Sequence, residues 1–133
     1  ALSSAASDVY KRQKISIVLP ENLSVHTFSI NVILGNLLDN AIEAAQNSKE
    51  KYLGIDIRTK RGLLFITIEN SYDGSIQLHK NEIVTSRKNK ESHGIGLKNV
   101  KMIVEEQGGE MQVIWVNNRF VVKVMLYLSA LNE

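Results

Sequence analysis

Hydrophobic positions recur along this chain with two periods, and each change of period marks an element. Residues 14–19 (KISIVL) alternate apolar and polar like a half-buried strand, and Pro20-Glu21-Asn22 ends the run. Residues 28–47 (FSINVILGNLLDNAIEAAQN) switch to helical spacing: Ile30, Ile33/Leu34, Leu37, Ala41 and Ala44/Ala45 return every three or four positions. The polar residues of this helix are periodic as well. Asn36, Asn40, Glu43 and Asn47 share one face beside the apolar stripe. Gly35 costs a helix interior about 1 kcal/mol relative to Ala, so a close approach by another element is expected there.

Residues 53–60 and 63–70 return to period two and flank Arg61-Gly62, which predicts a hairpin. In its second arm Phe65, Thr67 and Glu69 alternate with Leu64, Ile66 and Ile68. Residues 71–75 (SYDGS) have turn composition, and residues 76–92 are polar and poor in regular pattern. A loop of that length in a compact domain is more often a functional lid than idle. His93-Gly-Ile-Gly-Leu97 then opens a second helix to about Gln107, with Leu97, Val100 and Ile103/Val104 inward and Gly108-Gly109 as its stop. Residues 111–116 and 120–128 form a last hairpin across Asn117-Asn118. Residues 1–13 read as a linker, a truncated upstream element or an expression remnant, and residues 14–133 as one domain. The order predicts an α+β fold: a two-layer α/β sandwich with a mixed, largely antiparallel sheet of about five strands and two or three helices on one face.

Composition narrows the function. The 133 residues contain no cysteine, which excludes a disulfide framework, a thiolate zinc site and a cysteine nucleophile. Sixteen basic against fourteen acidic residues give a net charge of +2, which does not argue for nucleic acid; no basic helix or aromatic platform appears either. No apolar run approaches the roughly 20 residues needed to span a bilayer, and residues 1–14 lack a signal-peptide core. A soluble, intracellular domain is the expectation. P-loop, HExxH and GxSxG motifs are absent, Gly94-Ile95-Gly96 lacks the third glycine of a dinucleotide fingerprint, and His26, His79 and His93 do not make metal-ligand spacings.

Two constellations carry chemistry. The first is the asparagine face: a carboxamide oxygen is a hard, neutral ligand suited to a Mg²⁺ ion that keeps its other positions for phosphate and water. The competing reading is a polar solvent face with incidental asparagines. The second is Gly94 and Gly96 at a helix start, where glycines let phosphate oxygens approach backbone N–H groups. The competing reading is a hinge with a helix cap. Arg87, Lys88 and Lys90 in the preceding lid have the charge to neutralise phosphates, or are solvated loop.

Together these residues resemble the GHKL (Bergerat-fold) ATP-binding superfamily, and within it the catalytic domain of bacterial sensor histidine kinases. Asn36-Leu-Leu-Asp-Asn40-Ala-Ile-Glu-Ala is similar to the family's N box, and His93-Gly-Ile-Gly-Leu-Lys-Asn-Val100 to its second glycine box. Thr85-Ser86-Arg87-Lys88 followed by HGIGLKNV resembles the peptide-pheromone-sensing branch, including the accessory-gene-regulator type. The resemblance covers roughly residues 14–129. It implies that Asn40 binds Mg²⁺, that Asn36 faces the phosphates of ATP, and that Gly94 and Gly96, with Ile95 and Leu97, form a phosphate-cradling turn, His93 being a hinge. Leu37, Ile68 and Ile83 are core candidates that border the adenine; Lys98 and Asn99 lie in reach from the first helical turn. The first glycine box departs from the family's Asp-x-Gly-x-Gly: strand register puts Asn70 in the Asp position, where its amide oxygen can still accept from the adenine amino group. Asp73-Gly74 is the rival alignment.

Relatives that hydrolyse ATP need a carboxylate one helical turn before the metal-binding Asn. Here that position is Asn36, which has no useful basicity, so the resemblance implies a kinase. Its phosphoacceptor would be a histidine on a separate upstream dimerisation domain, since none of the three histidines is expected on a suitable helix. The implied whole is a homodimeric kinase, anchored to a membrane only through an N-terminal sensor, with this domain cytoplasmic and a response regulator downstream. The isolated domain is expected to bind Mg·ATP without phosphorylating itself. The alternatives are an anti-sigma-type serine kinase and a degenerate interaction module with weak or no nucleotide binding.

Overall fold

The computed structural model describes residues 9, 12–20, 27–73, 76–79, 82–85 and 90–131. Its elements are β1 (Gln13–Val18), α1 (Thr27–Gln46), β2 (Leu53–Lys60), β3 (Leu63–Ser71), β4 (Ile76–His79), β5 (Glu82–Thr85), α2 (Lys90–Glu106), β6 (Glu110–Val116), β7 (Arg119–Tyr127) and a short α3 (Leu128–Leu131). Five strands form one sheet in the order β1-β2-β3-β7-β6. Only β1 and β2 are parallel; a parallel pair needs a crossover, and α1 supplies it. The other three pairings are antiparallel. The two tight hairpin turns place Arg61, Gly62, Asn117 and Asn118 at positive φ, the twist that two-residue connections demand. The expected α+β sandwich with a mixed sheet is what the chain adopts.

The sheet alternates as its sequence does. Leu64, Ile66 and Ile68 of β3 and Val122, Val124 and Leu126 of β7 are buried. Ile33, Leu37, Ala41 and Ala45 of α1 and Leu97, Val100 and Val104 of α2 share that core. Burial of each large aliphatic side chain contributes about 1.5–3 kcal/mol, so these two helices and two strands hold most of the fold. At the sheet edge, β1 is paired on one side only, and its Ile15 and Ile17 are 50% and 56% exposed.

Four expectations are corrected. The stretch 76–92 is not patternless: β4 and β5 pair as a small antiparallel hairpin. The brief alternation of Ile76 and Leu78 with Gln77 and His79 is its signal, hidden among charged neighbours. The second helix starts at Lys90 and not at His93, so Gly94 and Gly96 lie about a turn further into it than expected. Among the described residues nothing approaches Gly35; an added Cβ would meet none of their atoms within 4 Å. Finally, packing begins before residue 14, because Val9 is buried in the core and Gln13 already pairs with Leu53.

The C-terminal end of α2 fixes where β6 begins. Gly108 N donates to Glu105 O and Gly109 N to Val104 O, both at 2.9 Å, the paired bonds of a Schellman cap. A Cβ on Gly109 would collide with the Met125 carbonyl oxygen and crowd Leu126 and Val104. Gly109→Ala should therefore lower unfolding free energy by about 1–3 kcal/mol in urea titration. Gly35→Ala should raise it by about 0.5–1 kcal/mol, because the helix gains propensity with no clash.

Candidate functional site

The site is built where α1 and α2 cross. Asn36 and Asn40 are one turn apart on α1 and partly buried. Opposite them on α2 is Gly96. A Cβ built there would lie 3.4 Å from Asn40 Nδ2, 3.9 Å from Asn40 Oδ1 and 3.7 Å from Asn36 Oδ1. The bare backbone at residue 96 thus leaves a notch walled by two carboxamides. Asn36 Nδ2 donates to Val32 O at 2.8 Å, which turns Asn36 Oδ1 away from its own helix, toward Gly96. Leu97, next in sequence, faces the core and is buried; it packs and does not line the notch. His93, Gly94 and Ile95 lie in the first turns of α2, while Lys98 and Asn99 are exposed. Arg87 and Lys88 lie outside the described residues.

The donor chemistry fits a hard cation that arrives with a polyanion. Among the described residues no group of three or more His, Asp or Glu gathers to hold a metal. Asn40 Nδ2 stands nearest Gly96, with Asn36 Oδ1 and Asn40 Oδ1 just beyond it; these two oxygens are neutral amide donors, and Mg²⁺ commonly takes one or two protein oxygens and completes its shell with phosphate and water.

The sheet supplies the other wall. Asn70, next to last in β3, lies on the helix-facing side, 3% exposed, in register with Leu53 and Phe120. Its Nδ2 donates to Ser71 O at 2.9 Å. Asp73, the rival, is exposed and its Oδ2 accepts from Lys49 N at 2.7 Å, so it belongs to the loop between α1 and β2. Tyr72 packs edge-on to Phe120 with ring centroids 6.3 Å apart.

Sequence reasoning missed what holds this corner. Arg119 reaches two carboxylates and one ring. Its Nη1 donates to Glu69 Oε2 at 2.5 Å and its Nε to Glu50 Oε1 at 3.2 Å, with Nη2 on Glu50 Oε2. The guanidinium also sits 3.9 Å from the centre of the Tyr52 ring. Hydrogen bonding to Glu50 is the main reason its pKa is raised; burial opposes this and Glu69 adds to it. No local motif announces the cluster, because its members come from three elements. A depression of about 630 Å³ lined by Phe65, Thr67, Gln112 and Lys123 lies elsewhere and contains none of the candidate residues.

Comparison with known proteins follows from this geometry. Residues 25–127 match a family model described as the GHKL domain. The nucleotide-free catalytic domain of histidine kinase ThkA superposes with a TM-score of 0.63 at 19% identity, over 96% of this chain and 92% of that one. The histidine kinase domain of the Erythrobacter litoralis EL346 blue-light activated histidine kinase gives 0.60 at 20% identity, over 98% and 64%. Acinetobacter baumannii histidine kinase AdeS gives 0.61 at 18%, over 95% and 64%. At these identities the likeness establishes the fold. No curated protein sequence matches the chain.

Arg119→Ala should destabilise the domain by about 1–2 kcal/mol in low salt, since it removes a fork and a stacking contact together. The loss should shrink in about 0.5 M NaCl, and Arg119→Lys should restore only part of it. Urea titration at the two salt concentrations checks all three.

Proposed function

The chain belongs to the GHKL domain family, and on that premise we propose that it binds Mg·ATP and serves as the catalytic domain of a two-component sensor histidine kinase. The observation that carries the proposal is the contact between Gly96 and the two amides. It brings two motifs far apart in sequence against one another, as a shared ligand would require.

In this reading Asn40 holds the metal through Oδ1 and Asn36 faces the phosphates. Bound Mg²⁺ supplies charge neutralisation of the phosphate oxygens. Gly96, with no side chain, keeps the face of α2 opposite the two amides open to those oxygens. Asn70 accepts from the base, which Asp73, engaged with Lys49 N, is badly placed to do. Arg87, Lys88 and His93 complete the lid. The transfer breaks the bond between the γ-phosphorus and the bridging oxygen, forms one to an imidazole nitrogen, and releases ADP; it rests on positioning and electrostatics, not on a protein nucleophile. The acceptor in this reading belongs to a separate dimerisation domain; His79 lies in β4 and His93 in α2, and His26 lies outside the described residues. An amide at residue 36 leaves water without a general base, which favours transfer over hydrolysis.

The finer assignments belong to the same proposal: the peptide-pheromone branch, a membrane-anchored homodimer with this domain cytoplasmic, and a response regulator as the next acceptor. No helix among the described residues is long and apolar enough to cross a membrane. The second reading, an interaction module without nucleotide, is favoured by one observation: the turns around Gly94 are already helical.

Calorimetric titration with a non-hydrolysable ATP analogue separates the two. Binding should require Mg²⁺ and weaken at least about tenfold in Asn40→Ala. No heat at millimolar nucleotide would leave the interaction module as the better account. Incubated with ATP, the domain alone should form no phosphohistidine.

A further inference from the structure

A sheet edge is a row of backbone N–H and C=O groups that no strand has used, and folded proteins usually shield it with charge, proline or an irregular backbone. This sheet has two edges, β1 and β6, and they are not alike. On β6 one large apolar side chain, Val116, is exposed, along with the polar Glu110 and Gln112. Of the seven large apolar side chains exposed among the described residues, four belong to the β1 run: Ile15, Ile17, Val18 and Leu19. Single exposed apolar residues need no explanation, but four within five consecutive positions form a patch. Lys14 is the one charge between Gln13 and Leu19, and no bulge interrupts the pairing of β1 with β2.

The patch has a side. Ile15 and Ile17 lie opposite Ile55 and Ile57, which lie opposite Ile68 and Ile66. Burial falls along these rows, from buried in β3 through half-buried in β2 to exposed in β1. The helix layer runs out before the sheet does.

Whatever covers these isoleucines must bring apolar side chains on the helix side and a strand's hydrogen bonds along the edge. A second copy of β1 brings both. Run antiparallel about Ser16, two copies set Ile15 of each against Ile17 of the other, all four on the helix side, with Ser16 against Ser16. Lys14 falls opposite Val18, which its aliphatic stem covers. The two Lys14 residues, four positions apart along the pair, are separated by about 14 Å, beyond the screening length of about 8 Å at physiological salt. Neighbouring symmetric registers do worse. Centred on Ile15, the pairing sets Ile17 against Gln13; centred on Ile17, it sets Lys14 against Pro20, which has no N–H to give.

We infer that β1 is a self-association edge: two copies of this domain pair through it, antiparallel about Ser16, and fuse two five-stranded sheets into one. The two-fold pairing closes on itself and stops at a dimer. The inference goes beyond the nucleotide reading and does not depend on it. Six-residue strands fall short of the roughly 1,200 Å² that specific interfaces bury, so the pairing is weak and serves copies already held at high local concentration.

Sedimentation equilibrium of the 133-residue chain should show a monomer–dimer equilibrium with a Kd of about 0.1–1 mM. Ile17→Lys should weaken it at least about tenfold, because the new ammonium would face the second copy's Ile15. Val116→Lys, on the other edge, should leave it unchanged. Circular dichroism confirms that each variant folds. The chain has no cysteine, so a single introduced thiol reports the register. Directly opposite Cα atoms lie about 4.5–5.5 Å apart, within disulfide reach. Under mild oxidation Ser16→Cys should therefore cross-link at least about tenfold faster than Lys14→Cys, and this pair carries the test should Ile17→Lys fail to fold. A chain that stays monomeric at about 1 mM overturns the inference and leaves the edge to a partner of other sequence. Dimerisation that survives Ile17→Lys overturns it too, as do equal cross-linking rates.

Discussion

Everything in this molecule depends on one apolar sheet face being covered by two helices. β3 and β7 lie side by side and present two parallel rows of aliphatic side chains. One helix is too narrow to cover both rows, so α1 and α2 must lie next to each other. Once they do, the edges of their apolar stripes meet. On α1 that edge is Asn36 and Asn40; on α2 it is Gly96. The chemistry of the site is thus a by-product of core packing: the same contact that closes the hydrophobic layer brings two amides against a backbone with no side chain.

The far end of the sheet is held differently. There the loop from α1 to β2 crosses the ends of β3 and β7, where too little apolar surface exists to pin it. Polar bonds substitute. The bond between the Ser48 and Ser71 hydroxyls works on the buried side and the Arg119 cluster on the exposed side, with Tyr52 taking part in both. Asn70 sits between them.

Much of this was legible along the chain. The period-two and period-four patterns located both hairpins and α1 to within a residue or two, because those segments are long and bury one face. The asparagine pair and the glycine pair were visible as motifs. The β4–β5 hairpin was not, since four-residue strands in a charged stretch carry little periodic signal. The start of α2 was placed late because Lys90, Glu91 and Ser92 carry no apolar spacing. Gly35 was misjudged for the opposite reason: a glycine in a helix was credited with a neighbour it does not have. The Arg119 cluster and the Ser48–Ser71 pair were beyond reach, because they join residues from different elements and have no spacing to recognise.

The position of β1 bears on how the molecule assembles. The β2–β3 and β6–β7 hairpins close over two-residue turns and form within microseconds as isolated units. β1 pairs with β2 only after the whole of α1 has been laid down between them, so its loop-closure cost is the larger. It joins a sheet whose interior rows are already filled, and it contributes two isoleucines that remain half in water. β1 therefore brings little apolar burial to the sheet for the long loop it must close. In the interval before it docks, β2 is the open edge of the sheet, and with Ile55 and Ile57 along it that edge is the surface most prone to pair with another chain.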